Sequence, residues 1–135
     1  MPDTTGSESA ERVTLTVPGG RGSIGIVRLF VGGLAARLDL GYDTMDDLQL
    51  ALESVLLASA PRGEVTVEAR IEDDAVSVLV GPFERDPLHA EASRPDSLEP
   101  ARLLAALVAG AESSARDGGH WLRLDVRVPA GSGSA

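Results

Sequence analysis

The side chains of this sequence that could do chemistry are few, and only Glu53 stands in a suggestive position. It lies within LQLALESVLLASA, residues 48–60, where its neighbours are mostly apolar or small. Such a carboxylate is either a general base or an ordinary charge on the less buried side of a helix. At roughly 100° per residue, Glu53 lies well away from the stripe of Leu48, Leu52 and Val55, which favours the ordinary charge.

Other familiar catalytic and metal-binding side chains do not form recognisable sites. The chain has no cysteine, which excludes disulfides, thiolate nucleophiles and thiolate zinc sites. His89 and His120 are too far apart to share a ligand spacing. The acidic pairs at 46–47 and 73–74 indicate a solvated first helical turn and a β-turn. No serine lies in a nucleophile elbow.

Charge and composition exclude several classes of partner. The formal net charge of −9 disfavours nucleic acid and anionic membranes, because their phosphates require a basic surface. The first ten residues lack the regions of a signal peptide, and no apolar run reaches transmembrane length. We therefore expect a cytoplasmic protein with no nucleic-acid or membrane partner. A basic protein would suit its negative field better.

Apolar periodicity positions these residues in the order β–α–α–β–β–loop–α–β. Residues 84–100 are polar, contain three prolines and have no period, so we expect a surface loop there. We predict one domain over residues 11–128, with flexible tails at 1–10 and 129–135. Alternation predicts strands near 12–17, 65–71, 76–80 and 121–128, and helical spacing predicts helices near 23–38, 43–59 and 103–110.

This order predicts an α+β two-layer sandwich. All predicted strands have one apolar side, and their other sides carry Arg, Thr, Glu and Asp. Such a sheet meets water on one face. We therefore expect a mixed, mainly antiparallel β-sheet with three helices on one face.

The chain resembles the anti-sigma-factor serine/threonine kinases in the order of its elements. The matching segments are VTLTVP at the start, RLFVGGLAARLDLGYDTMDDLQLALES in the helices, VTVEARIEDDAVSVLVGPF in the hairpin and LLAALVAGAESSARDGGHWLRLDVRV at the end. The resemblance covers residues 11–128 and implies the histidine-kinase-like ATPase fold. Active members of that family bind magnesium and ATP through three motifs, and each motif can be compared with this sequence.

The first family motif is a glutamate followed four residues later by asparagine. The glutamate, the general base of the family, matches Glu53, but the magnesium-binding asparagine matches Leu57. Leucine has no ligand atom for a cation that requires oxygen, and the chain contains no asparagine. The resemblance therefore leaves Glu53 as a vestigial general base without its metal ligand.

The other two motifs are also incomplete. After the hairpin, the family has Asp-x-Gly-x-Gly, whose aspartate binds the adenine amino group. That position falls on or next to Leu79, where no carboxylate occurs. Before the last helix, the family has glycines that cradle phosphates, whereas here no glycine occurs between Gly81 and Gly110.

We therefore predict a degenerate member of the family that keeps the fold and has lost the chemistry. It is expected not to be an enzyme, to have no catalytic or metal-binding residue and no cofactor, and not to bind ATP or magnesium. The resemblance implies a regulatory protein-binding module that binds a sigma factor or its anti-anti-sigma antagonist. Homodimerisation is a further expectation from the resemblance.

Two leucines define the expected binding or pocket surface, because Leu50 and Leu57 share the side of Glu53. Something apolar should cover them, either the loop at 84–100 collapsed into the vacant pocket, which we favour, or a protein partner. Trp121 is predicted on the outer sheet face, where it would anchor an interface or cap the core.

Two other functions stay open at this point. One is a divergent ATP-dependent serine/threonine protein kinase that uses Glu53. The other is a sensory domain that binds a small apolar ligand against Leu50, Leu57 and Leu79.

Overall fold

The computed structural model describes residues 10–59, 63–73, 75–89 and 99–126. Two short 3-10 turns accompany the longer elements, one before the first helix at Arg21–Ser23 and one after the third strand at Pro87–His89. The strands and helices are β1 (Ala10–Pro18), α1 (Ile24–Leu38), α2 (Tyr42–Ser59), β2 (Glu64–Glu72), β3 (Ala75–Phe83), α3 (Pro100–Leu107), β4 (Gly110–Arg116) and β5 (Gly119–Val126).

The five strands form one open sheet in the order β1-β2-β3-β5-β4. Every strand pair is antiparallel, so the predicted mainly antiparallel α+β sandwich is confirmed, and no parallel pair occurs between the described strands. The three helices gather on one face, where α2 packs between α1 and α3. None of the described helices is both long and apolar enough to cross a bilayer.

The core lies between the inner sheet face and the helices. In β2 and β3 alternate side chains are buried, which is the pattern of strands with one covered face. Helical spacing supplies the other side of the core. The buried side chains that meet there include Val27, Val31 and Leu34 of α1, Leu48, Leu52 and Val55 of α2, Leu104 of α3, and Val67, Val78, Val80, Leu122 and Leu124 of the sheet.

The start of α1 differs from the sequence expectation in one detail. Ser23 is the N-cap residue, as its type predicts, but its side chain makes no capping hydrogen bond. The buried hydroxyl instead donates to the carbonyl oxygen of Pro18. Ser23 therefore ties the beginning of α1 to the end of β1.

The sequence predicts four strands, whereas the described residues form five, and β4 is the additional strand. Its inward-facing residues are Ala111, Ser113 and Ala115, which give no apolar alternation. The overlooked signal is the turn, since Asp117 and Gly118 both have positive φ, at 54° and 78°. Asp-Gly is a typical sequence for a two-residue hairpin turn of this kind.

The segment predicted as a continuous surface loop at 84–100 is partly ordered into the fold. Pro87 is buried, and Leu88 packs against the core from its 3-10 turn. The third helix begins at Pro100, earlier than its leucine spacing indicates. Residues 90–98, and the predicted tails apart from Ala10, lie outside the described residues.

Candidate functional site

Glu53 lies on the side of α2 that faces α1, where it binds Arg28. The guanidinium Nε donates to Glu53 Oε2 at 2.6 Å, and Nη2 donates to Oε1 at 3.0 Å. This two-point geometry engages both carboxylate oxygens. The Glu53 side chain is 17% exposed, whereas the Arg28 side chain is 58% exposed. The residue predicted as a vestigial base is therefore part of an ion pair between two helices.

The Arg28–Glu53 pair has a second connection beside it. Gln49, one turn before Glu53, donates its side-chain amide to the backbone oxygen of Arg28 at 3.4 Å. The hydrogen bond to Glu53, with the Coulombic attraction, raises the pKa of Arg28 and keeps it protonated. Two polar contacts at Arg28 therefore join α1 to α2.

Glutamine at position 53 should weaken this link without unfolding the protein. Glu53→Gln retains the shape of the side chain but removes the charge, so we expect a small drop in melting temperature that shrinks at high salt. The measurement is a double-mutant cycle with Arg28→Gln, at low and high ionic strength. Strictly additive effects of the two substitutions would contradict a direct pair.

Exposed apolar side chains occur on both helices that this pair joins. Leu50 and Leu57 of α2 are each 49% exposed, and Leu29 of α1 is 77% exposed. Ile26 is 44% exposed, and Tyr42 at the start of α2 is 79% exposed. Among the described residues, these five are the exposed large hydrophobic side chains, and all lie on α1 or α2. We call these five side chains the hairpin patch, after the helical hairpin that α1 and α2 form.

Two of the predicted surface residues lie on the opposite side of the molecule. Leu79 alternates with the buried Val78 and Val80, so its half-buried side chain points to the outer sheet face. Trp121 lies on the same outer face, packed over Gly81, with the Arg116 guanidinium carbon 4.5 Å from its ring centroid. The sheet therefore separates Leu79 and Trp121 from Leu50, Glu53 and Leu57, and the three leucines do not line one pocket.

The outer sheet face carries several ion pairs. Glu68 Oε2 lies 3.8 Å from Arg12 Nε and 3.6 Å from Arg70 Nη2. At the other end of the sheet, Arg123 lies 2.9 Å from Glu112 and 3.5 Å from Asp125. These pairs account for the alternating Arg and acidic residues of the strands.

Sequence reasoning missed a polar cluster around Asp86. One carboxylate oxygen accepts the backbone N–H of Leu88 at 3.0 Å, and the other accepts the Ser113 hydroxyl at 2.9 Å and lies 2.8 Å from His89 Nδ1. Burial alone would raise the pKa of Asp86, but the hydrogen bonds from Leu88, Ser113 and His89 together lower it. The cluster joins the 3-10 turn to β4, and no local sequence pattern predicts it.

Removing the charge of Asp86 should reveal a stability term that depends on pH. Because the folded-state pKa lies below the ordinary value of 3.8, this stability is fully present above that value and is lost as pH falls through the folded pKa. Near neutral pH we expect Asp86→Asn to cost about 1–2 kcal/mol of unfolding free energy, with the difference shrinking below about pH 4.

Urea unfolding at several pH values measures this difference. Ser113→Ala is the matched variant, since it removes one of the hydrogen bonds and leaves the carboxylate. It should cost less than Asp86→Asn near neutral pH. A difference between wild type and Asp86→Asn that is constant from neutral pH to pH 3 would contradict the linkage.

One open groove of about 300 Å³ lies at the end of the sheet. It is lined by glycines and by side chains that include Glu64, Pro82, Glu84 and Asp117. None of the leucines singled out above lines it. Within the described part of the chain, no group of three or more His, Asp or Glu side chains is placed to hold a metal ion.

Comparison with known proteins gives distant similarity to serine-protein kinases. No family model matches the chain. Serine-protein kinase RsbW of Bacillus velezensis is 28% identical over 81 residues, which are 55% of this chain and 51% of that protein. The Listeria innocua and Listeria monocytogenes proteins of the same name are each 29% identical over 77 residues, 52% of this chain and 49% of theirs.

The chain thus spans about half the length of the curated relatives it matches. These matches support the resemblance to the anti-sigma-factor serine/threonine kinases. They leave the loss of catalysis as a prediction, because the relatives carry the name of kinases.

Proposed function

We propose that this chain is a non-catalytic regulatory module of the anti-sigma-factor type, which binds a sigma factor or its antagonist through the hairpin patch. The observation that carries this proposal is the concentration of exposed apolar side chains on one helix pair. Large apolar groups collected on one surface, away from the core, are typical of protein-binding sites. The similarity to the RsbW proteins supports the class of partner.

The geometry of the patch suits binding to a protein surface. Leu50 and Leu57 lie one turn to either side of Glu53, about 10 Å apart along α2. Leu29 follows Arg28 on the neighbouring helix. Leu50 and Leu57 therefore flank an ion pair whose charges already compensate each other, so a partner that covers both leucines would not bury an unpaired charge there.

The state of Glu53 supports a role without catalysis. A general base must lie within hydrogen-bond reach of the proton that it takes from its substrate. In this structure both Glu53 oxygens bind Arg28, and the side chain four residues later is Leu57. Neither observation favours an arrangement for phosphoryl transfer, which depends on positioned metal and phosphate.

Binding measurements with the sigma factors and antagonist proteins of the same genome test this proposal. Titration calorimetry should detect a complex with wild type, and the double variant Leu50→Asp/Leu57→Asp should weaken it by at least about tenfold. Ala106→Asp is the matched control, because it places a carboxylate at an exposed position of α3, away from the patch. Failure of every candidate to bind, or equal affinity of the double variant, would overturn the proposal.

The kinase function is a second candidate, favoured by the names of the relatives. Titration with Mg-ATP discriminates between the two. Under our proposal no saturable heat is expected, whereas a divergent kinase should bind with micromolar affinity. Phosphorylation of an antagonist protein that Glu53→Gln abolishes, in a variant with an intact fold, would establish the kinase instead.

A further inference from the structure

We infer that the partner segment bound by the hairpin patch is a basic amphipathic helix of about four turns. This inference rests on the proposed function and specifies the chemistry of the partner. It follows from the length of the exposed stripe on α2 and from the sign of the charge beside it.

One side of α2 carries a stripe of residues that are exposed except for the half-buried Glu53. Tyr42, Asp46, Leu50, Glu53 and Leu57 follow one another at intervals of three or four residues, which places them along one side of a helix. The stripe from Tyr42 to Leu57 is about 22 Å long at 1.5 Å per residue. A helix laid along it would need about fifteen residues to contact both ends.

The charge beside the stripe is negative. α2 contains Asp43, Asp46, Asp47 and Glu53 but no basic residue. Glu53 is neutralised by Arg28, whereas no basic side chain in the described part of the chain pairs with the three aspartates. Arg37, the other basic residue of α1, is bound to Glu11 of β1. Within the described residues, the first half of α2 therefore presents carboxylates that have no basic partner.

These two features divide the stripe into ends of different chemistry. The end near Leu50 and Leu57 is apolar, and the end near Asp43 and Asp46 is acidic. A complementary helix carries apolar residues at i, i+3 or i+4, and i+7 over the leucines, and Arg or Lys over the aspartates. An acidic helix would place like charges together at the second end.

The free edges of the sheet are the other places that could hold an extended segment, and they lie outside the patch. The free edges of the sheet belong to β1 and β4, and a strand added there would contact neither Leu50 nor Leu57. Anionic membrane is disfavoured by the same aspartates. The apolar stripe and its acidic end together favour a basic helix.

Selection from a random library of displayed peptides of about sixteen residues tests the inference. The wild-type chain is the target, and the double variant Leu50→Asp/Leu57→Asp is used for counter-selection. We expect enriched peptides with helical apolar spacing and an excess of Arg and Lys toward one end. Enrichment of acidic peptides, enrichment of peptides without helical spacing, or no enrichment would overturn the inference.

Charge reversal tests whether the aspartates at the start of α2 attract the basic part of the bound peptide. Asp43→Lys/Asp46→Lys should weaken an enriched peptide by at least about tenfold at low salt, and wild-type binding should weaken as salt rises. Glu64→Lys/Glu72→Lys, which makes the same change of charge at the two exposed ends of β2, is the control. Equal weakening by both variants would overturn the inference, because it would show non-specific attraction.

The two proposals fail in different ways. If sigma factors and antagonists do not bind but basic helical peptides are enriched, the proposed function fails and the inference stands. If a sigma factor or antagonist binds through the patch but the enriched peptides are neither basic nor helical, the inference alone fails. Self-association of wild type that Leu57→Asp abolishes would also overturn the inference, since a second copy would then occupy the patch.

Discussion

Replacing Phe83 by alanine is expected to lower the free energy of unfolding by about 3–5 kcal/mol. Phe83 is 1% exposed and is among the largest fully buried side chains. The register between β3 and β5 shifts between Val80 and Phe83, and after this irregularity Phe83 points into the core. Alanine would leave a cavity that the backbone of two paired strands cannot close.

Leu29→Ala is the matched control for this loss. It also truncates a large apolar side chain, but Leu29 is 77% exposed, so the expected change is within about 0.5 kcal/mol. Urea unfolding followed by circular dichroism measures both variants. Comparable losses at positions 83 and 29 would show that the core is not packed as described.

Replacing Gly81 by alanine should also destabilise the fold, by about 1–3 kcal/mol. A Cβ atom at this position would lie 2.7 Å and 2.9 Å from two ring carbons of Trp121 and 3.0 Å from the backbone oxygen of His120. The ring and the paired strand must therefore both move. Because Trp121 is the only tryptophan, its fluorescence should change together with the unfolding midpoint.

Gly33→Ala makes the same chemical change with the opposite expected sign. Gly33 lies in α1, where an added Cβ would have open space around it. Alanine stabilises a helix interior by about 1 kcal/mol relative to glycine. A neutral Gly81→Ala, or equal effects of the two variants, would contradict the close approach of Trp121.

Most of the fold could be predicted from the sequence because most elements have a strongly apolar side. The hairpin of β2 and β3 alternates clearly, and the leucine and valine spacing of α1 and α2 indicates their buried sides. β4 escaped prediction because it lies at the sheet edge, where Ala111 and Ser113 suffice as inward-facing residues. An edge strand with small inward residues gives almost no periodic signal.

The candidate site was less predictable, since its contacts join residues distant in the sequence. Glu53 could be singled out by its setting, but its partner Arg28 is 25 residues earlier. Asp86 and Ser113 are 27 residues apart, and neither belongs to a motif. Packing of α1 on α2, and of the 3-10 turn on β4, creates both contacts, and local patterns do not encode such packing.

Resemblance and residue chemistry contributed different parts of the interpretation. The family resemblance implied the architecture that the structure shows. The exposure of Leu50 and Leu57 came only from the structure, because helical spacing placed them beside Glu53 without showing that their outer halves are open. The collapsed-loop alternative depends on residues 90–98, which lie outside the described residues, and it stays a prediction.

The ion pairs on the outer sheet face limit the surfaces through which this molecule can associate. Stacking two copies sheet against sheet would remove Arg12, Glu68, Arg70 and Arg123 from water, and desolvation of such pairs commonly exceeds their attraction. The desolvation of these ion pairs therefore opposes stacking through the outer sheet face. Association by apolar contact is therefore left to the helical side, where the exposed large apolar side chains of the described residues lie.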